Sequence, residues 1–589
     1  FGSSLTNAAT ITLTSPIALS SLSFNHGSYS YTVAGQSINV TNIVNENGNH
    51  TVQSDITSAS LALNIRKGTL TLRNATLSAN VQNKVGSTIL ANDVTLNNGL
   101  DVAAGAVTVT GTNVVVGALS SSAGTVTLSG SGATLTTLQN SATELQSPLT
   151  GTAGTFVKSG AQPLTLRAHS TTFSGTTRLE AGTTVLAGAS LMNGAMLGDT
   201  ATLELQPVST NGLMGYFYAL SPTTNAFTSL ATLDAMIGTT QPSLIAPSSN
   251  ASTNFDYPPA TGSSVTLPAP FGAGGANQNN FTAVWRGSIT LPDSGPYTFG
   301  MLGDDCFLFA IDNQAMITTM GPTNSYMTAT VTLDAGRHDI LIALGQINST
   351  VGLRVQVKAP SMATAQQLPN AWLSPAVTVR SVTGNGVLNL SSATVSAQIG
   401  HPSGTNTLTT QLISPAGARL AKIGTSTVNF APSSATSFAG SLSVLEGTLA
   451  FATANSLSAD NPLYISPRGT VLLNTSQRIG GLSGQGTLST KARINLLTFT
   501  GDADSGISSS KTYTHLVDFA TNSASPTING VTFNNRGSWA FTANPLSNSW
   551  NVADVSDGWG RTGNDATRTG INALTWDFVY NSQNWAMEL

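Results

Sequence analysis

The sequence predicts an all-β protein: a β-solenoid (β-helix) stalk with an inserted β-sandwich domain and a C-terminal β module. Three observations predict it. Apolar and polar residues alternate with period two along almost the whole chain. One stretch occurs twice, and its first copy is interrupted by a domain-sized segment. That segment carries an aromatic density its flanks lack.

At 589 residues the chain is too long for one ordinary core. Only 8% of it is charged, against about a quarter in a typical soluble domain, so hydroxyls and amides must make its polar surface. The net charge of −4, from 22 basic and 26 acidic residues, gives nucleic acid no basic face and a membrane no polybasic anchor. There is no run of eighteen apolar residues, hence no transmembrane helix to expect. Cys306 is the sole cysteine, which excludes an internal disulfide and a cysteine-based metal cluster. The chain opens at Phe1, already in strand pattern, and reads as the mature or excised part of a longer protein. Low charge, few lysines and Thr/Ser-rich strands point to an extracellular or cell-surface bacterial protein.

The solenoid is expected over 1–205 and again over 375–490. "GTLTLRNATLSANV" (68–81), "GAVTVTGTNVVVG" (105–117) and "GTVTLSGSGATLTTL" (124–138) are short strands broken by Gly, Asn and Ser. Residues 154–188 align with 418–451: Lys158 answers Lys422, Phe173-Ser174-Gly175 answers Phe438-Ala439-Gly440, and Gly182 answers Gly447. "SVTGNGVLNL" (381–390) answers "GLSGQGTLST" (481–490). Lys422 and Gly484 are 62 positions apart, whereas Lys158 and Gly384 are 226 apart. The first copy therefore holds roughly 160 extra residues, one domain's worth. A strand with one apolar face cannot bury it alone, so stacked turns with glycine corners build the core. The series Lys-x-Gly, Leu-Thr-Leu, Phe-Ser-Gly, Glu-x-Gly-Thr resembles the autotransporter-associated β-strand repeats of bacterial surface proteins.

The inserted domain spans 207–366. "GLMGYFYAL" (212–220) opens it, residues 281–317 and 331–357 follow, and "SLATLDAMIG" (229–238) is the best helical window of the chain. Its Trp-x-Gly, Gly-x-Tyr-x-Phe, Asp-Asp and Leu-x-Ala-Gly-x-His series resembles the protective-antigen-type (PA14) domain of bacterial toxins, yeast flocculins and some glycosidases. In sugar-binding members of that family the corresponding aspartate pair is joined by a cis peptide and holds calcium that also binds glycan hydroxyls. The resemblance thus implies Ca2+ at Asp304 and Asp305, with the loop "GQINSTVG" (345–352) adding an oxygen, Asn348 first. Calcium takes six to eight oxygens, and two carboxylates fixed in one loop supply the anionic part. The family usually has glycine after the pair, and Cys306 stands there instead, which would narrow the pocket or mark a lost ligand. The alternative reading is that Asp304 and Asp305 only cap a turn.

Other candidates are weaker. The six histidines (26, 50, 169, 338, 401 and 515) lack metal-ligand spacing, and His338 and Trp285 read as packing residues of the domain. "DADSG" (502–506) has the alternating acids of a calcium loop and reads as a plain turn. No phosphate-binding loop or nucleophile elbow occurs. Glu180 and Glu446 occupy equivalent repeat positions, which suggests scaffold roles and no catalytic pair. Residues 491–589, with five of the seven tryptophans, read as a small C-terminal β-rich module.

The expected function is a non-catalytic surface adhesin or scaffold whose partner is a cell-surface or matrix glycan. A structural fibre or surface-layer subunit, self-associating without glycan binding, is the second reading. A polysaccharide-degrading enzyme is a distant third.

Overall fold

The structure, a computed structural model, describes residues 1–2, 6–207, 211–248, 255–260, 279–348, 351–400, 404–432, 437–457, 461–475 and 477–490. Beyond these it describes strands 497–499, 527–528, 531–535, 575–580 and 583–588. Most of the expected 491–589 module, including the 502–506 turn, lies outside the described residues. The protein is nearly all β. Among the described residues there is one α-helix, Leu230–Ile237, and one 3-10 turn, Asn370–Trp372. Ser229 starts the helix, because its hydroxyl accepts the Thr232 N–H while Thr232 Oγ1 accepts the Ser229 N–H.

The chain divides into two compact units. The first is Phe1–Val208 with Val377–Asn389, and it is a β-solenoid of stacked parallel strands. Val94–Leu96 pairs with Val114–Val116, which pairs with Thr134–Thr137, which pairs with Thr155–Lys158. A second face stacks Ala106–Val109 on Thr125–Leu128. Alternation dictates this packing: Val107, Val109, Val126 and Leu128 point inward and are buried, while Thr108 and Thr127 face outward.

A coil must turn between strands, and the carbonyls at each turn lack a strand partner. Buried side-chain donors meet them. Lys158 is fully buried, and its Nζ donates to Gly160 O at 2.9 Å and to Ala181 O, one coil further on, at 2.7 Å. In the second copy Lys422 is equally buried and donates to Gly424 O and, at 2.7 Å, to Glu446 O. Asn45, Asn83 and Gln139 bridge corners in the same way, to Gly48 and Thr69, to Gly86 and Ala104, and to Ser141 and Pro163.

The paired glycines of the repeat follow from these lysines. A Cβ on Gly182 would lie 2.4 Å from Gly160 O and 2.7 Å from Lys158 Nζ. On Gly447 it would lie 2.5 Å from both Gly424 O and Lys422 Nζ. Both glycines also have positive φ, +64° and +68°, which a side chain would resist.

The second unit is Ser209–Ala376 with Leu390–Leu589. Its first part is an antiparallel sandwich. One sheet sets Phe281–Leu291 between Met214–Tyr218 and Gly336–Gln346, and Gly336–Gln346 then pairs with Cys306–Ile311. The other sets Val351–Lys358 between Asp256–Ala260 and Gly295–Asp304, with Met327–Leu333 beyond. Trp285, Tyr297, Phe299, Phe307 and Phe309 fill the space between the sheets, and Trp285 meets Phe217 and Phe255 edge-on. Trp285 is core, as its motif position suggests. The second part of the unit stacks parallel strands again: Ser396–Ile399, Arg419–Lys422, Ser441–Val444, Pro462–Ile465 and Gly481–Gly484.

The buried corner lysines predict a pH signature. Burial lowers both amines to about 8. Between about pH 8 and the ordinary lysine value the unfolded chain therefore holds more protons, and stability rises with pH. Thermal melts from pH 7 to 10 should show Lys158→Met losing part of that rise, on the order of 2 kcal/mol. Identical slopes in the variant and the parent would remove the role given to this amine.

Candidate functional site

Asp304 ends the strand Gly295–Asp304 of one sheet, and Cys306 begins the strand Cys306–Ile311 of the other. The chain thus crosses between the sheets at Asp305, and the Asp304–Asp305 peptide is cis. A second crossing lies beside it. Gly336–Gln346 ends opposite Cys306, with Cys306 on Gly345, and Val351–Lys358 begins opposite Asp304, with Asp304 on Gly352. Strand pairing alone therefore sets the aspartate pair against the 347–348 segment.

Side chains fasten the two crossings together. Asp305 Oδ2 accepts the Ile347 N–H at 2.7 Å and the Asn348 N–H at 3.2 Å. The Asn348 carbonyl accepts from Gln346 Nε2 at 2.9 Å, and Asn348 itself is exposed. A third segment joins from below: Thr323 donates its N–H to Gly303 O at 3.0 Å and accepts the Gly303 N–H at 3.4 Å. Thr323 carries no sequence signal, lying in a plain turn, and its part is visible only in three dimensions. Gly345 is required for contact, since a Cβ there would lie 2.6 Å from both Phe227 and Pro222. The 222–227 segment, ahead of the helix, packs against the end of this strand through that glycine.

The electrostatics follow from crowding two acids. Partial burial, then the hydrogen bond and charge of Asp305, push Asp304 up to about 6. Cys306 is fully buried and free, and burial together with the neighbouring Asp305 and Asp304 carboxylates pushes its thiol up to about 11. It is a neutral packing group at physiological pH, and it does not occupy the exposed side of the crossing. Among the described residues no group of three or more His, Cys, Asp and Glu gathers around a point. A cation here would rely on two carboxylates and neutral oxygens, the donor chemistry of a hard cation such as calcium.

His338 lies at the opposite end of its strand from this site, with Nδ1 2.7 Å from Asp312 Oδ2. Glu446 pairs with Arg468 and Glu180 with Arg178.

Residues 268–361 match the PA14 domain family model. The matched PA14 stretch contains both crossings and Asp304, Asp305 and Asn348. Solved structures similar to this chain include an anti-sigma factor domain-containing protein (16% identity, 28% of this chain and 48% of that one, TM-score 0.22). Another is a PA14 sugar-binding domain from an RTX adhesin (16% identity, 28% of this chain and 100% of that one, TM-score 0.23). A third is the Epithelial Adhesin 9 A domain from Candida glabrata in complex with Galb1-3GlcNAc (14% identity, 28% and 88%, TM-score 0.22). The aligned part spans about half the length of the first structures matched. No curated protein matches the chain.

Crowding also sets a test without any ligand. Titration of aspartate carboxyl carbons by NMR should show Asp304 taking a proton near pH 6 in the metal-free protein. Asp305→Asn should lower that value, because it removes the neighbouring charge. An unchanged Asp304 titration in the variant would mean that the two carboxylates do not interact.

Proposed function

We propose that this chain is a non-catalytic surface adhesin or scaffold of a bacterium, whose β-solenoid, built of autotransporter-type repeats, presents a calcium-dependent glycan-binding PA14 domain. One observation carries the reading: within the PA14 match, two adjacent carboxylates sit at a sheet crossing whose neighbouring loop is tied to Asp305.

The residues fit the ion. Asp304 and Asp305 would supply the anionic oxygens and Asn348 a neutral one, leaving further positions for main-chain oxygens, water or sugar hydroxyls. Bound calcium would supply an electrostatic bridge between these carboxylates and vicinal hydroxyls of a glycan. The protein's own contribution is placement. Asp305 orients the 347–348 backbone by accepting two N–H groups, so the loop is held before any ligand arrives. Burial and the neighbouring Asp305 keep a proton on Asp304 in acid, and a cation must displace it.

Calorimetric titration of the whole chain with calcium, then with simple sugars, tests the reading. Binding of one calcium per chain is expected, followed by sugar binding that needs it, with affinity falling below about pH 6. Asp304→Asn with Asp305→Asn should abolish both while the melting temperature without calcium stays within a few degrees. Sugar binding unaffected by chelator would overturn the calcium reading, and no signal from calcium or a glycan array would favour the structural-subunit reading.

A further inference from the structure

The inserted sandwich and the parallel strands of its own compact unit meet through charged side chains withdrawn from water. Asp339, on the strand Gly336–Gln346, pairs with Arg419, on the strand Arg419–Lys422, and each is about 5% exposed. Arg337 donates to Gly417 O and Thr394 O, both at 3.1 Å. Asn313 donates to Leu445 O, and Tyr464 OH donates to Asp312 O at 2.9 Å. At the flank, Arg468 pairs with Asp234 of the helix and with Glu446, and Arg286 also reaches Asp234.

We propose that this joint takes up a proton at Asp339 and is tighter in mild acid than at neutral pH. Geometry points to the proton's place. Asp339 Oδ2 meets Arg419, but the equally buried Oδ1 has no hydrogen-bond partner among the described residues. A buried carboxylate oxygen with no donor is an acceptor left unsatisfied, and protonation turns it into a neutral hydroxyl. A second carboxylate stands beside it, since Asp312 Oδ1 accepts the Asp339 N–H at 2.9 Å. Its negative charge so close by adds to the cost of a second charge on Asp339.

The charged and titratable groups facing Asp339 come from every element at the joint. Arg337 and His338 lie on its own strand, Asp312 on the turn between Cys306–Ile311 and Gln314–Thr319, and Arg419 and Tyr464 on the parallel strands. Burial pushes Asp339 up to about 6; Arg419 opposes this and Asp312 adds to it. Burial depresses His338, but the Asp312 hydrogen bond and charge outweigh it, so His338 is raised. The docked value of Asp339 lies above the free one, so the docked state holds the extra proton there, whereas the partners that raise His338, Asp312 and Asp334, belong to the sandwich itself and stay with it whether or not the joint is closed. The stabilisation from Asp339 is complete below the free aspartate value and is lost as pH rises through about 6. Arg419 is not stranded when Asp339 is neutral. It also donates to Ser443 Oγ at 3.0 Å and to the Arg337 carbonyl at 3.3 Å, and Oδ2 still accepts from it.

Hydrogen exchange on the full chain reads the joint through the strands that carry it, at the amides of 336–340 and 419–422. After correction for intrinsic rates, protection there should rise about tenfold from pH 7 to pH 5. Asp339→Asn, which mimics the neutral acid, should be as protected at pH 7 as the parent at pH 5, and His338→Gln should keep most of the response. Protection that falls in acid would overturn the proposal, because an ordinary ion pair would then hold the joint. The parent's pH series decides this sign even if the variants fold poorly. Opening of the joint at pH 7 in a folded Asp339→Asn would overturn it as well.

Discussion

A stack of parallel coils stands or falls at its corners. Strand pairing satisfies the main chain along each face, but each turn leaves carbonyls that only a side chain or water can reach. Here a buried donor spans from one corner to the next coil, and lysine, asparagine and glutamine all serve. The lysines are the most demanding of these donors. They carry charge into a dry interior, and their ammonium groups occupy the space next to Gly182 and Gly447. A protein with 8% charged residues that fully buries Lys158 and Lys422 is using charge as internal fastening.

The same economy recurs in the second unit. In this unit carboxylates crowd the Asp304–Asp305 crossing, and buried charges meet at the joint around Asp339 and Arg419. The strand Gly336–Gln346 connects them, with its first residues at the joint and its last opposite Cys306. A rigid strand between the two places holds the proposed glycan site at a fixed position relative to the joint.

The fold class was legible because alternation and a period of stacked strands survive any choice of outward residue; Val107, Val109 and their neighbours announce the interior by spacing alone. The repeat Lys-x-Gly was visible as a pattern, but its cause was not, since one lysine must meet a carbonyl about twenty residues away. The aspartate pair stood out because carboxylates are scarce. Its setting depended on register: only the pairing of Cys306 with Gly345 and of Asp304 with Gly352 brings Asn348 beside Asp305. Cys306, which from sequence would narrow the pocket or mark a lost ligand, is buried where its strand begins. The joint was illegible. Arg419, Asp339 and Tyr464 lie far apart in sequence, in segments whose local pattern is ordinary strand.

The proposed site needs the two crossings to hold one cation together. The most direct measurement is a crystal structure of the chain grown with calcium, with anomalous scattering to identify the ion. One cation is expected in contact with carboxylate oxygens of both Asp304 and Asp305 and with an oxygen of Asn348. Crystals at high calcium concentration that show the two carboxylates hydrogen-bonded to each other, with no ion between them and the 347–348 loop, would contradict it.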